Sequence, residues 1–144
     1  MGYIQENIVE YNAKRPNKKQ IDQALNLRDK FVKDYPLSVL QAWTIKNIDD
    51  YIIGKQKQTF CCRLEHELVA CGNILGATAA KFGVYFSKKY IFTKKYGISV
   101  DDAFNKVKDE IVKLINAGAI DDVSTIRDSL LCPTMRGKIL FLYY

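Results

Sequence analysis

The sequence predicts a mainly helical α+β domain, and three observations carry that prediction. Residues 19–34 and 99–118 place apolar side chains at helical spacing. Residues 81–89 alternate instead with the two-residue period of a strand. The chain has 144 residues, 48% of them hydrophobic, which supports one buried core and leaves little room for a second. The sheet is expected to be small: a hairpin near residues 81–94 plus a C-terminal strand at 138–144.

Residues 1–18 are expected to form a flexible N-terminal segment ahead of a single domain at 19–144. In the first helix, Ile21, Leu25, Arg28, Phe31, Val32 and Tyr35 share a face, and Pro36 stops it because the residue before a proline is driven out of the helical region. Leu37, Leu40 and Trp43 predict a short helix, and Thr44 an N-cap for another running to Ile53, with Gly54 as its stop. Lys55 to Gln58 is a polar connection. Thr59 caps a further helix through Cys62, Leu64 and Leu68, although the apolar start Phe60-Cys61-Cys62 also fits a strand.

Gly72 and Gly76, set among small residues, imply a tight turn or a close backbone approach. In the strand that follows, Phe82, Val84 and Phe86 point one way and Gly83, Tyr85 and Ser87 the other, with residues 90–94 returning as the hairpin partner. Ser99, Asp101 and Asp102 open the clearest helix, whose Phe104, Val107, Ile111, Leu114 and Ile115 form a core stripe up to Gly118. A helix over 121–131 carries Val123, Ile126 and Leu130 and ends at Pro133. The final stretch is apolar on both faces after Lys138, as in a covered central strand, and its abrupt end is the mark expected of a piece cut from a longer protein.

Composition narrows the function classes. The longest apolar runs fall far short of the roughly 20 residues that span a bilayer, and residues 1–10 lack the pattern of a secretory signal. A cytoplasmic protein is expected, with Cys61, Cys62, Cys71 and Cys132 as reduced thiols. Lysine and arginine number 22 against 16 acidic residues, a net charge of +6. No Asp or Glu occurs from Leu68 to Val100, whereas Lys81, Lys88, Lys89, Lys94 and Lys95 all lie there. That segregation favours an anionic partner.

No catalytic pattern emerges. Cys62, His66 and Cys71, with Cys132 arriving from elsewhere, match no standard zinc spacing. A nucleophilic Cys–His pair built on His66, the single histidine, lacks an orienting group and oxyanion donors. The carboxylate pairs sit at helix starts and turns, where the helix dipole and solvation account for them. Gly72, Gly76, Thr78 and Lys81 are out of register for a phosphate-binding loop. Neither enzymatic activity nor a cofactor or metal is therefore expected.

The basic aromatic segment is the functional signal. On a strand, Lys81, Tyr85 and Lys89 share a face, so two phosphate-seeking charges flank a ring able to stack on a base. Lys88, Tyr90, Lys94, Lys95 and Tyr96 extend the same composition. The competing account makes the apolar positions core and the lysines a solubilising edge that blocks further strand pairing.

Three stretches carry a family resemblance: Tyr35-Pro36-Leu37-Ser38-Val39-Leu40 leading to 44–51; Thr59-Phe60-Cys61-Cys62-Arg63-Leu64-Glu65 leading through the glycines to Ala80-Lys81-Phe82-Gly83-Val84-Tyr85; and residues 136–144. Their order resembles the N-terminal target-recognition-type region of McrB-like restriction AAA+ ATPases and related restriction proteins. Cys62-Arg63 and Gly76-Ala77 depart from that pattern, where aromatic residues and more glycine are usual. The resemblance implies a non-catalytic DNA-binding specificity module for restriction or antiviral defence that reads modified DNA, with a motor or nuclease elsewhere in a longer chain. If a modified base is flipped, Tyr85, Tyr90 and Trp43 are the candidate walls of an aromatic slot, and Arg63, Arg136 and Lys138 supply further phosphate contacts. The rival expectations are a docking module of a larger ATPase assembly and a small enzyme with a site around His66.

Overall fold

The computed structural model describes residues 15–74 and 78–144. Residues 1–14, most of the expected N-terminal segment, and Gly76 lie outside the described residues. Helix α1 (Lys18–Asp34) starts at a reciprocal capping box, in which Asn17 accepts from the Gln20 amide and the Gln20 side chain accepts from the Asn17 amide. It buries Phe31. After Pro36 come α2 (Leu37–Ala42), a 3-10 turn at Ile45–Asn47 capped by Thr44, and the single-turn α3 (Ile48–Tyr51). The helix expected from Thr44 to Ile53 is thus divided, and the chain leaves it through Gly54 at φ +105°. A side chain there would overlap the Phe86 carbonyl, so only glycine lets strand and turn come this close.

Thr59 caps α4 (Phe60–Cys62), its hydroxyl accepting from the Cys62 amide at 3.1 Å, and the helix continues as a π turn at Arg63–Glu67. The helical alternative for Phe60-Cys61-Cys62 is therefore the one observed. Phe60 sits at the centre of an aromatic cluster, with ring centroids of Phe31, Tyr35, Tyr51 and Trp43 at 5.1, 5.3, 5.7 and 5.8 Å. Short 3-10 turns at Val69–Cys71 and Ala79–Phe82 lead into the hairpin of β1 (Val84–Ser87) and β2 (Lys89–Phe92). These two antiparallel strands are the whole sheet among the described residues.

Helix α5 (Val100–Ala119) is capped by Ser99, whose hydroxyl accepts from the Asp102 amide, and Asp101 and Asp102 complement the dipole at its start. Its buried stripe of Phe104, Val107, Ile111, Leu114 and Ile115 is the predicted one. This helix is the spine against which α2, the hairpin, α6 (Val123–Arg127) and α7 (Pro133–Tyr143) pack. Buried hydrophobic residues from α2, the hairpin, α5 and α7 belong to one continuous core, and the partly buried Ile126 of α6 packs against it. Helix α6 is shorter than the 121–131 expected, since Asp121 takes φ +53° and Asp122 supplies the cap.

The mainly helical α+β class holds, but the C-terminal strand at 138–144 does not: that segment lies in α7. Pro133 occupies the first turn, where its missing N–H costs nothing. Met135, Lys138, Ile139 and Leu142 are buried at helical spacing. A run that is apolar all round lacks any period, so it fits a helix covered by neighbours as well as a strand covered on both faces. Contact with α1 and α5 selected the helix: Tyr143 donates to the Tyr35 carbonyl at 2.6 Å, and Tyr144 donates to that of Ile115.

Candidate nucleic-acid interface

The cross-strand pairs Val84–Phe92, Tyr85–Ile91, Phe86–Tyr90 and Ser87–Lys89 fix the two faces of the hairpin. Val84, Phe86, Tyr90 and Phe92 share the inner face, against the core. Tyr85, Ser87, Lys89 and Ile91 share the outer face, and Lys88 forms the apex at φ +63°. Lys88, Lys89 and Lys94 are exposed, and none has a carboxylate within ion-pair distance among the described residues. Lys95 is exposed too, but its ammonium donates to the Leu130 carbonyl at 2.8 Å and lies 4.9 Å from the Tyr96 ring centre.

Three expected phosphate contacts lie inside the fold. Lys81 belongs to a 3-10 turn rather than to the strand, so it shares no face with Tyr85 and Lys89. It is buried, paired with the Glu65 carboxylate, and donates to the Ile74 carbonyl at 3.0 Å. Arg63 is buried between Asp34 at 2.9 Å and Glu67 at 3.0 Å, over the rings of Phe31 and Tyr35. Lys138 is buried in α7 and donates to the Gly72 carbonyl at 2.5 Å. Arg136 is half-buried and donates to the Arg127 carbonyl at 3.1 Å.

The aromatic slot is not assembled. Trp43 is 6% exposed and belongs to the core. Tyr90 faces inward, where its hydroxyl donates to Asp49 at 2.6 Å and accepts from Lys55 at 2.9 Å, while Tyr85 faces outward. Lys55 and then Tyr90, both hydrogen-bonded to Asp49, hold its carboxyl below the usual carboxylate range. This Asp49–Lys55–Tyr90 cluster ties the hairpin to α3, a role invisible in sequence because its members are far apart and Lys55 reads only as a polar linker residue.

Burial pushes the Lys138 ammonium down to about 8 from 10.5, the main effect, with Lys81 nearby acting in the same direction. Between about 8 and 10.5 the unfolded chain binds a proton at this site that the folded chain has lost, so stability rises with pH across that window. We expect Lys138→Met to be the more stable protein at pH 7, by on the order of 1–2 kcal/mol. Its advantage should shrink as pH approaches 10, measured by urea denaturation of both proteins in parallel. A pH-independent difference would show that Lys138 has an ordinary affinity for protons.

Cys62 and His66 line a cleft of about 740 Å³ with Lys30, Lys57, Gln58, Arg63 and Glu67. Burial, then the Glu65 charge, pushes the Cys62 thiol up, away from the reactive thiolate. The Cys71 thiol donates to the Ala24 carbonyl at 3.3 Å, and all four cysteines are free. Among the described residues no cluster of three metal-binding side chains forms. A larger groove of about 970 Å³ runs beside α1, lined by Ile21, Ala24, Leu27, Ala70 and Phe141 among others.

Comparison with protein-family models, curated proteins and solved structures gave no match. Fold and surface therefore define the class by themselves: a basic, mainly helical α+β domain that turns a lysine-tipped β-hairpin to solvent. No described helix is long and apolar enough to cross a membrane.

Proposed function

We propose that this domain binds DNA through the hairpin and its flanking lysines, as a non-catalytic specificity module of a restriction or antiphage defence protein acting in the cytoplasm. The observation that carries the reading is the exposed set Lys88, Lys89 and Lys94, gathered at the apex and far end of one hairpin without carboxylate partners among the described residues. Exposed, unpaired ammonium groups are what phosphate oxygens attract, and each neutralised phosphate releases counterions. The restriction context rests on the resemblance of the three sequence stretches, which also implies a modified DNA target and a motor or nuclease as partner.

The test is fluorescence anisotropy of a labelled duplex at several salt concentrations. Replacing Lys88, Lys89 and Lys94 together by alanine should weaken binding roughly tenfold or more and flatten the log–log salt slope by up to about 0.9 for each phosphate no longer neutralised. Unchanged affinity and slope, with an unchanged circular dichroism spectrum, would remove the hairpin from the interface.

A second reading, a docking module of a larger ATPase assembly, draws on the groove beside α1, where Ile21 and Phe141 are 45% and 48% exposed. It predicts that assembly survives the triple lysine substitution. An enzyme working from the cleft at His66 remains a third reading, supported there by the meeting of Cys62, His66 and Glu67.

A further inference from the structure

We infer that the hairpin enters the major groove of duplex DNA as a two-stranded ribbon and reads base edges with its outer face, without extruding a base. This rests on the DNA-binding reading and commits it to a form of DNA and a groove. The outer face carries Tyr85, Ser87, Lys89 and Ile91, a mixed set able to offer hydrogen bonds and apolar contact. A base pair presents both kinds of partner in the major groove, including the substituent at C5 of a pyrimidine.

Dimensions agree. Two strands about 4.8 Å apart, with their side chains, make a ribbon that fits a groove roughly 12 Å wide. Lys88 stands at the apex and Lys94 just beyond the other end of β2, so charge flanks the reading face at both ends. Along a strand that separation is about 3.4 Å per residue, enough for the two ammonium groups to meet phosphates on opposite rims of the groove.

The alternatives fit less well. Base extrusion needs a walled aromatic slot, yet Tyr85 and Tyr90 point to opposite faces and Trp43 is in the core. Single-stranded binding relies on successive stacking rings, whereas the outer face offers Tyr85 alone.

The experiment places the probe on the DNA, so no variant has to fold. Anisotropy is measured for a fluorescein-labelled duplex containing cytosine, the same duplex with glucosylated 5-hydroxymethylcytosine, the corresponding single strand, and the plain duplex with netropsin filling its minor groove. We expect the bulky major-groove sugars to weaken binding by roughly tenfold or more. Netropsin should leave affinity unchanged, and the single strand should bind more weakly than the duplex. Displacement by netropsin, indifference to the sugars or tighter binding to the single strand would overturn the groove assignment while leaving DNA binding intact. Failure of every oligonucleotide to bind at low salt would overturn the DNA-binding reading and this inference together.

Discussion

Phe60→Ala is expected to destabilise the domain by about 3–5 kcal/mol, measured by urea denaturation. The residue is fully buried, and rings from α1, the turn at Tyr35, Trp43 and α3 all close on it. Truncation removes apolar burial and several tilted or edge-on ring contacts together, and it leaves a cavity bounded by separate elements that cannot all move inward. Phe141→Ala is the matched control, because that ring is 48% exposed and its removal should cost less than about 1 kcal/mol. Equal losses for the two would mean that the aromatic cluster is not the centre of the core.

Glu65→Ala is expected to be about as damaging, roughly 3–5 kcal/mol, through charge rather than volume. It would leave the buried Lys81 ammonium without the carboxylate that faces it, in surroundings where desolvation is costly. Replacing both members, as Glu65→Leu with Lys81→Met, should restore most of the stability, to within about 2 kcal/mol of the wild type. The double-mutant cycle separates this from a packing defect: additive losses would show that the two side chains do not act as a pair. The pair also has a structural consequence. Lys81 reaches the Ile74 carbonyl while Lys138 reaches that of Gly72, so two buried cations from different elements hold the segment that leads toward the hairpin.

Lys81, Arg63 and Lys138 look like phosphate ligands in sequence, yet all three are buried, so substituting them would change stability, downward for Lys81 and Arg63 and upward for Lys138→Met, before it changed DNA binding. Lys88, Lys89 and Lys94 offer exposed cations at the hairpin without carboxylate partners among the described residues, and Lys95 joins them once released from Leu130. A drop in affinity on mutating the buried cations would therefore say little about the interface unless stability were measured alongside.

The sequence by itself determined what local physics controls. Helix α5 was legible from a cap, an acidic first turn and an unbroken apolar stripe, and α1 from its period and Pro36. The hairpin was legible from alternation, although its first strand begins at Val84 rather than Lys81. Tertiary structure decided whatever local pattern leaves degenerate. The C-terminal run became α7 because α1 and α5 offered surfaces to its several sides, a choice that an all-apolar segment does not encode. It also divided the cations. A lysine's charge is written in the sequence, but whether a carboxylate sixteen positions away meets it, as Glu65 meets Lys81, depends on how distant segments fold together. For the same reason Tyr85 and Tyr90, which composition alone allows to wall one slot, lie on opposite faces, since strand register, and not composition, sets the direction of each side chain.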